Sequence, residues 1–393
     1  MKRGEDACSP AGERMRPRKV AFGAVALTMA IGIVLGLSML GPAPVSRSVR
    51  AQTVSLTFGY GGDIGWNATA RTRIGLAKLR SDLGNLSFFL ALGDLSYNST
   101  PGSEPSWCNF INWSLRKPAT FPFEIVSGNH ESNGPEGYIN NFVKCEPNKI
   151  PGINGTYGKE YFFDYPSSSP LARVILISPA LSFSSGAWWS YTGNSTHEHW
   201  LLGAIDSARA QAIPWVIVGM HKVCLSVGPM QCEISQELMD LLLEKKVDLV
   251  LQAHDHTYQR SKQLSCALRE VGMPNCIANG QSPYVRGAGT VFSVCGVLGQ
   301  WPWTVHPVTD DEAAYFAASM GGNTPGMGNG FCRITLTAST LSMNTMFSGT
   351  YADSFTIAGA AASVVTFSAA TTDEETRPAI VEDVCSCCCG TSA

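Results

Sequence analysis

The sequence predicts a layered α/β fold closed by a second sheet, and three observations carry that reading. Between residues 51 and 350, short β-rich runs alternate with amphipathic helical patterns, the order expected of strands and helices stacked in layers. In the last third, strands follow one another with no helical pattern between them. Hydrophobic residues make up 45% of the 393 and charged residues 15%, which provides for a sizeable core and excludes wholesale disorder, a collagen-like rod or a coiled coil. A net charge of -3 also argues against a nucleic-acid binder, whose affinity comes from neutralising phosphates.

Residues 54–60, 88–92, 124–127, 174–177, 215–218 and 247–252 are short runs rich in β-branched, aromatic and other apolar side chains, and each reads as a strand. Residues 70–83, 197–209 and 235–245 carry apolar positions at helical spacing. Residues 290–294, 331–336 and 341–347 are the strands of the closing sheet, and the Gly/Pro-rich 321–330 is a loop. No internal repeat is visible.

The N-terminus speaks for export. Residues 1–19 hold six basic side chains against three acidic ones, and Val20 to Leu40 then run 21 residues without a charge, long enough to span a bilayer. The best small-residue cleavage site, Gly41-Pro42-Ala43, is followed by Pro44, which favours an uncleaved anchor over a removed signal. The expected organisation is a basic cytoplasmic segment (1–19), a membrane anchor or signal (20–41), a main domain (51–350) and a tail (351–393). Sequons at Asn67, Asn85, Asn98, Asn112, Asn154 and Asn194 fit a glycoprotein of an exported compartment. So do eight cysteines between Cys108 and Cys332, an even number, with Cys224–Cys232 and Cys266–Cys276 as expected short-range disulfides. Cys385, Cys387, Cys388 and Cys389 sit in a tail for which a disordered segment is the simplest reading.

The chemistry lies where strands end. Five expected strands run into segments rich in Asp, Asn or His: Gly62-Asp63-Ile64-Gly65, Gly93-Asp94-Leu95-Ser96-Tyr97, Gly128-Asn129-His130-Glu131, Val218-Gly219-Met220-His221 and Ala253-His254-Asp255-His256. Ligands of open α/β sheets gather at the carboxyl ends of strands, so the five segments should converge. Together they offer two carboxylates, one amide oxygen, three imidazoles and a phenol, a mixed N/O set suited to transition metals. Seven ligands exceed one tetrahedral zinc. Two ions about 3.5 to 4 Å apart, bridged by one carboxylate, would use them all and would stabilise both the attacking and leaving oxygens of a displacement at phosphorus.

These blocks resemble those of the calcineurin-like metallophosphoesterases, and more narrowly the purple acid phosphatases, which carry GDxG, GDxxY, GNH(D/E), VxxH and GHxH in this order. The resemblance covers roughly residues 54–347 and includes the run from His254 to Arg260, an H-x-H-x-Y-x-R pattern. It implies a four-layer α/β/β/α sandwich. It assigns Asp63, Asp94, Tyr97 and His256 to one ion and Asp94, Asn129, His221 and His254 to the other. Tyr97 implies Fe(III) at the first site, because a phenol with a pKa near ~10 is readily deprotonated only by a strong Lewis acid. The second ion would be Fe(II), Zn or Mn. His130 would meet the phosphate and protonate the leaving group, and Glu131 would either orient His130 or face solvent.

Two departures stand out. Ala253 occupies a position where the pattern usually has glycine. After His221 the family usually places one or two further histidines against substrate, whereas residues 222–235 contain none; Lys222 is the cation there that could bind phosphate. His197 and His199 open a helical pattern where positions two apart do not share a face, so they read as structural or surface residues, and His306 as part of a pocket rim. The expected activity is hydrolysis of phosphomonoesters with water activated at two metal ions. A phosphodiesterase or nucleotide-processing enzyme on the same scaffold, and an extracellular binding protein without catalysis, are the alternatives.

Overall fold

The computed structural model describes residues 54–359 apart from 67–69, 99, 101, 133–137, 184–185, 187 and 267–275. The expected cytoplasmic segment, the anchor or signal and the cysteine cluster of the tail lie outside the described residues. Among those described, no helix is long and apolar enough to cross a membrane.

Among the described residues, seventeen strands and five α-helices follow in chain order. The first half runs β1 (Leu56–Gly61), α1 (Ala70–Asp82), β2 (Phe89–Leu92), α2 (Glu104–Leu115), β3 (Phe123–Val126), α3 (Ile139–Cys145), β4 (Asn154–Thr156), β5 (Glu160–Tyr165) and β6 (Ala172–Leu176). Next come α4 (Thr196–Ala210), β7 (Trp215–Gly219), α5 (Gln236–Glu244), β8 (Leu249–Gln252), β9 (Tyr258–Ser261), β10 (Gln263–Leu264), β11 (Ile277–Asn279) and β12 (Tyr284–Val285). The chain closes with β13 (Val291–Cys295), β14 (Phe316–Met320), β15 (Gly330–Leu336), β16 (Thr340–Phe347) and β17 (Ser354–Ala358).

Two large sheets result. One has the order β12-β17-β16-β15-β1-β2-β3 and the other β14-β9-β13-β8-β7-β6-β5-β4. The strands β1, β2 and β3 are parallel, as are β6, β7, β8 and β13. Alternate side chains of these strands point to opposite faces. Phe58, Tyr60, Leu90 and Leu92 of the first sheet therefore meet Val174, Leu176, Ile217, Leu249 and Leu251 of the second. The outer faces are covered by helices: Leu76, Leu79, Trp107 and Ile111 lie on Phe89, Phe123 and Ile125, while Leu201, Ile205, Leu238 and Leu242 lie on Ile175, Val216 and Val218. This is the α/β/β/α sandwich that the resemblance implies, but the last strands do not form a closing sheet of their own: β13 inserts between β8 and β9, while β15 and β16 extend the sheet of β1.

Cys108–Cys145 ties α2 to α3, and Cys224–Cys232 and Cys266–Cys276 pair as expected. The sequon asparagines Asn85, Asn98, Asn154 and Asn194 are exposed. The sheet continues past residue 350. β17 pairs with β16 and β12, and Asp353 just before it accepts two bonds from Arg260 (2.7 and 3.0 Å) and one from Tyr258 (2.6 Å). The tyrosine and arginine of the H-x-H-x-Y-x-R run thus lock β9 onto the end of the fold.

Candidate metal centre

The parallel strands deliver the polar segments to one edge. Asp63 follows β1, Asp94 and Tyr97 follow β2, and Asn129 follows β3; from the other sheet His221 follows β7, while His254 and His256 lie between β8 and β9. A seam joins the two sets, with the Gly62 N–H donating to the Cys295 carbonyl at 3.0 Å. Asp63, Asp94, Tyr97 and His254 have positive φ (57°, 48°, 54° and 65°), a region that costs non-glycine residues about 1–3 kcal/mol each and persists where the surroundings enforce it. Gly93 permits the crowding: a Cβ there would lie 2.6 Å from the Gly128 backbone and 2.8 Å from His221 Nδ1. Ala253, in place of glycine, fits because Gly62 opposite it has no side chain; a Cβ on Gly62 would come within 2.5 Å of that of Ala253.

One half of the cluster centres on His221. Its Nδ1 lies 2.7 Å from the Leu92 carbonyl, so that nitrogen carries the proton. Its Nε2 then faces Asn129 Oδ1 at 3.1 Å, Asp94 Oδ1 at 3.2 Å and His254 Nδ1 at 3.1 Å. A single ring nitrogen cannot satisfy three acceptors, and lone pairs converging in this way fit a cation. Asp94, His221 and His254 present ligand atoms all within 4.8 Å of one another. The other half joins Tyr97 Oη to Asp63 Oδ1 at 2.7 Å and to His256 Nε2 at 2.8 Å, with His256 Nε2 3.3 Å from Asp63 Oδ1. The second Asp63 oxygen accepts the His254 backbone N–H at 2.8 Å and so ties the halves together.

The electrostatics tell the same story. Burial would raise the Asp94 carboxyl, but the charge of and hydrogen bond from His221, with His130, hold it below its ordinary range. Burial would lower His221, yet Asp94 takes it up to about 9. Without a cation the cluster takes up a proton in its stead, and metal binding would release that proton. Burial, followed by the charges of Asp63 and Asp94, drives the Tyr97 phenol far above its ordinary value. The residues present therefore fit metal ions.

Around this centre, His130 is the accessible member, its side chain 39% exposed. Its ring lies 4.4 Å from that of Tyr97 and its Nε2 is 3.6 Å from Asp94 Oδ2. Glu131 neither orients His130 nor faces solvent. It is buried, and its carboxylate accepts the backbone N–H groups of Asp94 (2.9 Å), Leu95 (2.8 Å) and Gly128 (2.9 Å). Burial and then Asp94 push its pKa up to about 8, against the pull of those donors. Lys222 is drawn away from an open position, because its Nζ pairs with Glu233 Oε2 at 2.8 Å. The same oxygen lies 3.2 Å from His254 Nε2, which has no hydrogen-bond partner of good geometry. His254 and then Lys222 lower the Glu233 pKa to about 2, against partial burial.

The sequence motifs point neither to Glu233 nor to a place for Trp303 beside His256. Trp303 stacks on His256 (3.9 Å between centroids) and, with Pro229, Met230, Thr304 and His306, lines a groove of about 430 Å³. Glu233 had no motif to mark it, whereas an aromatic cluster at Trp301 and Trp303 near a polar site was a usable signal. His197 is structural, stacked on Trp189 and bonded to Glu160 at 2.8 Å, and His199 is exposed.

Residues 62–258 match the calcineurin-like phosphoesterase family, half of the chain and all five polar segments. The chain belongs to the calcineurin-like phosphoesterases. Within them it is purple acid phosphatase-like. It is 26% identical to purple acid phosphatase 21 of Arabidopsis thaliana over 216 residues, 53% of this chain and 46% of that one. It is 25% identical to purple acid phosphatase 1 of Ipomoea batatas over 275 residues, 67% of this chain and 54% of that one. Among solved structures, purple acid phosphatase PPD1 from yellow lupin superposes with a TM-score of 0.60 at 19% identity, covering 78% of this chain and 54% of that one, which shows a shared fold. This calcineurin-like phosphoesterase spans about half the length of the curated relatives it matches.

Proposed function

We propose that this protein is an exported phosphatase that hydrolyses phosphomonoesters at a pair of metal ions. The observation that carries the reading is His221, whose Nε2 faces an amide oxygen, a carboxylate and a second imidazole at 3.1–3.2 Å. Asp63, Asp94, Tyr97 and His256 would hold one ion, and Asp94, Asn129, His221 and His254 the other, with Asp94 common to both. The ions would lower the pKa of water toward the working pH and neutralise charge developing at phosphorus. Lewis acidity strong enough to ionise Tyr97 favours Fe(III) at the first position, with Fe(II), Zn or Mn at the second.

The chain's own residues supply the rest. His130 stands on the open side, where an imidazolium hydrogen-bonds a phosphate oxygen and passes its proton to the leaving oxygen. Glu131 fixes the two loops that carry Asp94 and Asn129. Lys222 acts at one remove, through Glu233 and His254, rather than by touching substrate. Three disulfides and exposed sequons support an exported compartment, with residues 20–41 as its anchor or signal.

The test is metal analysis of the exported protein together with its visible spectrum and its rates on matched aryl phosphate monoesters and diesters. Two ions per chain, a broad visible band abolished in Tyr97→Phe, and preference for the monoester are expected. A colourless, fully active protein holding only zinc or manganese would refute the ferric assignment. Hydrolysis of diesters alone would move the substrate class.

A further inference from the structure

The described core holds two cysteines outside the three disulfides, and they face each other. Cys295 is the last residue of β13 in one sheet and Cys332 lies in β15 of the other. Both are fully buried in the layer between the sheets. Their sulfurs are 2.9 Å apart, closer than the ~3.5–4.0 Å at which non-bonded heavy atoms rest and within about 1 Å of a sulfur–sulfur bond. The other six cysteines between Cys108 and Cys332 are already paired, so among the described residues these two are each other's remaining partners.

We propose that Cys295 and Cys332 form a fourth disulfide, a cross-link between the two sheets made as the exported chain folds. The bond forms by exchange with a disulfide of the exporting compartment's thiol oxidase. One thiolate attacks that disulfide and expels one of its sulfurs as a thiolate; the second cysteine's thiolate then attacks the mixed disulfide and expels the other. Two thiols lose two protons and two electrons, and the carrier's disulfide is reduced to a dithiol. Exchange requires thiolate, and in the packed core burial pushes the Cys295 thiol well above its ordinary value. The bond would therefore form most readily while the pair is still open to solvent, and the packed core would then shield it.

Its location gives it a bearing on the site. Cys295 accepts the Gly62 N–H that joins the sheets, and the next residue, Gly296, packs so tightly that a Cβ would lie 2.7 Å from Asp63 Oδ2. The cross-link sits directly beneath one carboxylate of the candidate metal centre. It closes a 37-residue span that carries Trp303 and His306 to the groove.

Peptide mapping of the protein, expressed with export, tests this. The chain is denatured without reductant, its free thiols are alkylated and its peptides are analysed by mass. A cross-linked peptide pair containing Cys295 and Cys332, with neither alkylated, is the expected result. In Cys332→Ala, Cys295 should become fully alkylated once the chain is denatured. The same protein made in a reducing cytosol should carry both as free thiols and unfold at a lower temperature. Alkylation of Cys295 and Cys332 in exported protein, whatever the state of the other pairs, would overturn the proposal. None of these measurements reads phosphatase activity, so their outcome is independent of the function proposed above.

Discussion

Replacing Glu131 separates a residue that builds the site from those that occupy it. Its two carboxylate oxygens accept three buried backbone N–H groups at 2.8–2.9 Å, from Asp94, Leu95 and Gly128. Each buried donor left unpaired costs about 1–3 kcal/mol. Glu131→Ala orphans all three donors, and with some water entry the expected loss is ~4 kcal/mol, a large share of the ~5–15 kcal/mol typical of a folded domain. Glu131→Gln keeps one acceptor oxygen and turns an amide N–H₂ toward at least one donor. Relief of repulsion with Asp94 offsets part of that, leaving a loss of ~2 kcal/mol. Urea unfolding of the metal-free protein, followed by metal titration, reads both effects. The order wild type, Gln, Ala should hold for stability and for metal affinity alike. If both variants unfold at the wild-type midpoint, Glu131 does not hold these loops.

Further changes probe the centre and its surroundings. Asp94→Ala should lose both ions together and all phosphatase activity, whereas two metals retained per chain would refute its shared role. Glu233→Gln should weaken metal binding by about 10–100-fold, the usual effect of removing the carboxylate behind a histidine ligand, with little change in melting temperature; unchanged affinity would mean that Glu233 serves Lys222 alone. Glu124, fully buried with one oxygen unpartnered, has its pKa raised from 4.5 to about 7 by burial. Both folded and unfolded states are protonated well below pH 4.5. As pH climbs to about 7 the folded state resists ionising, and ~3 kcal/mol of stability is lost. Metal-free Glu124→Gln should show a correspondingly flatter stability profile between pH 4.5 and 7, and an unaltered slope would count against it.

Much of this was legible because the decisive strands are short apolar runs that end in unusual polar residues. Six runs from 54–60 to 247–252 became β1, β2, β3, β6, β7 and β8 within about two residues, and the polar ends of five of them converge. What escaped notice had its pattern disguised. In β9, Tyr258–Ser261 is wholly buried yet polar, because Arg260 finds its partner in Asp353, 93 residues away. In α2 a proline near the start and a disulfide cysteine blur the helical period. The places of Glu131 and Lys222 depend on which neighbours supply N–H groups and carboxylates, information that exists only after the loops have been brought together.

The division of the candidate ligands between the sheets has a thermodynamic consequence. Asp63, Asp94, Tyr97 and Asn129 belong to one sheet's edge, His221, His254 and His256 to the other's, so neither sheet alone can assemble a complete set. An ion that binds only the docked arrangement acts by mass action on docking itself, contributing ~2.7 kcal/mol when its free concentration is 100 times its dissociation constant. Metal supply would then bear on the lifetime of the folded protein as well as its chemistry: a chain starved of metal would lose that contribution and unfold more readily, so its abundance would follow the metal available to it.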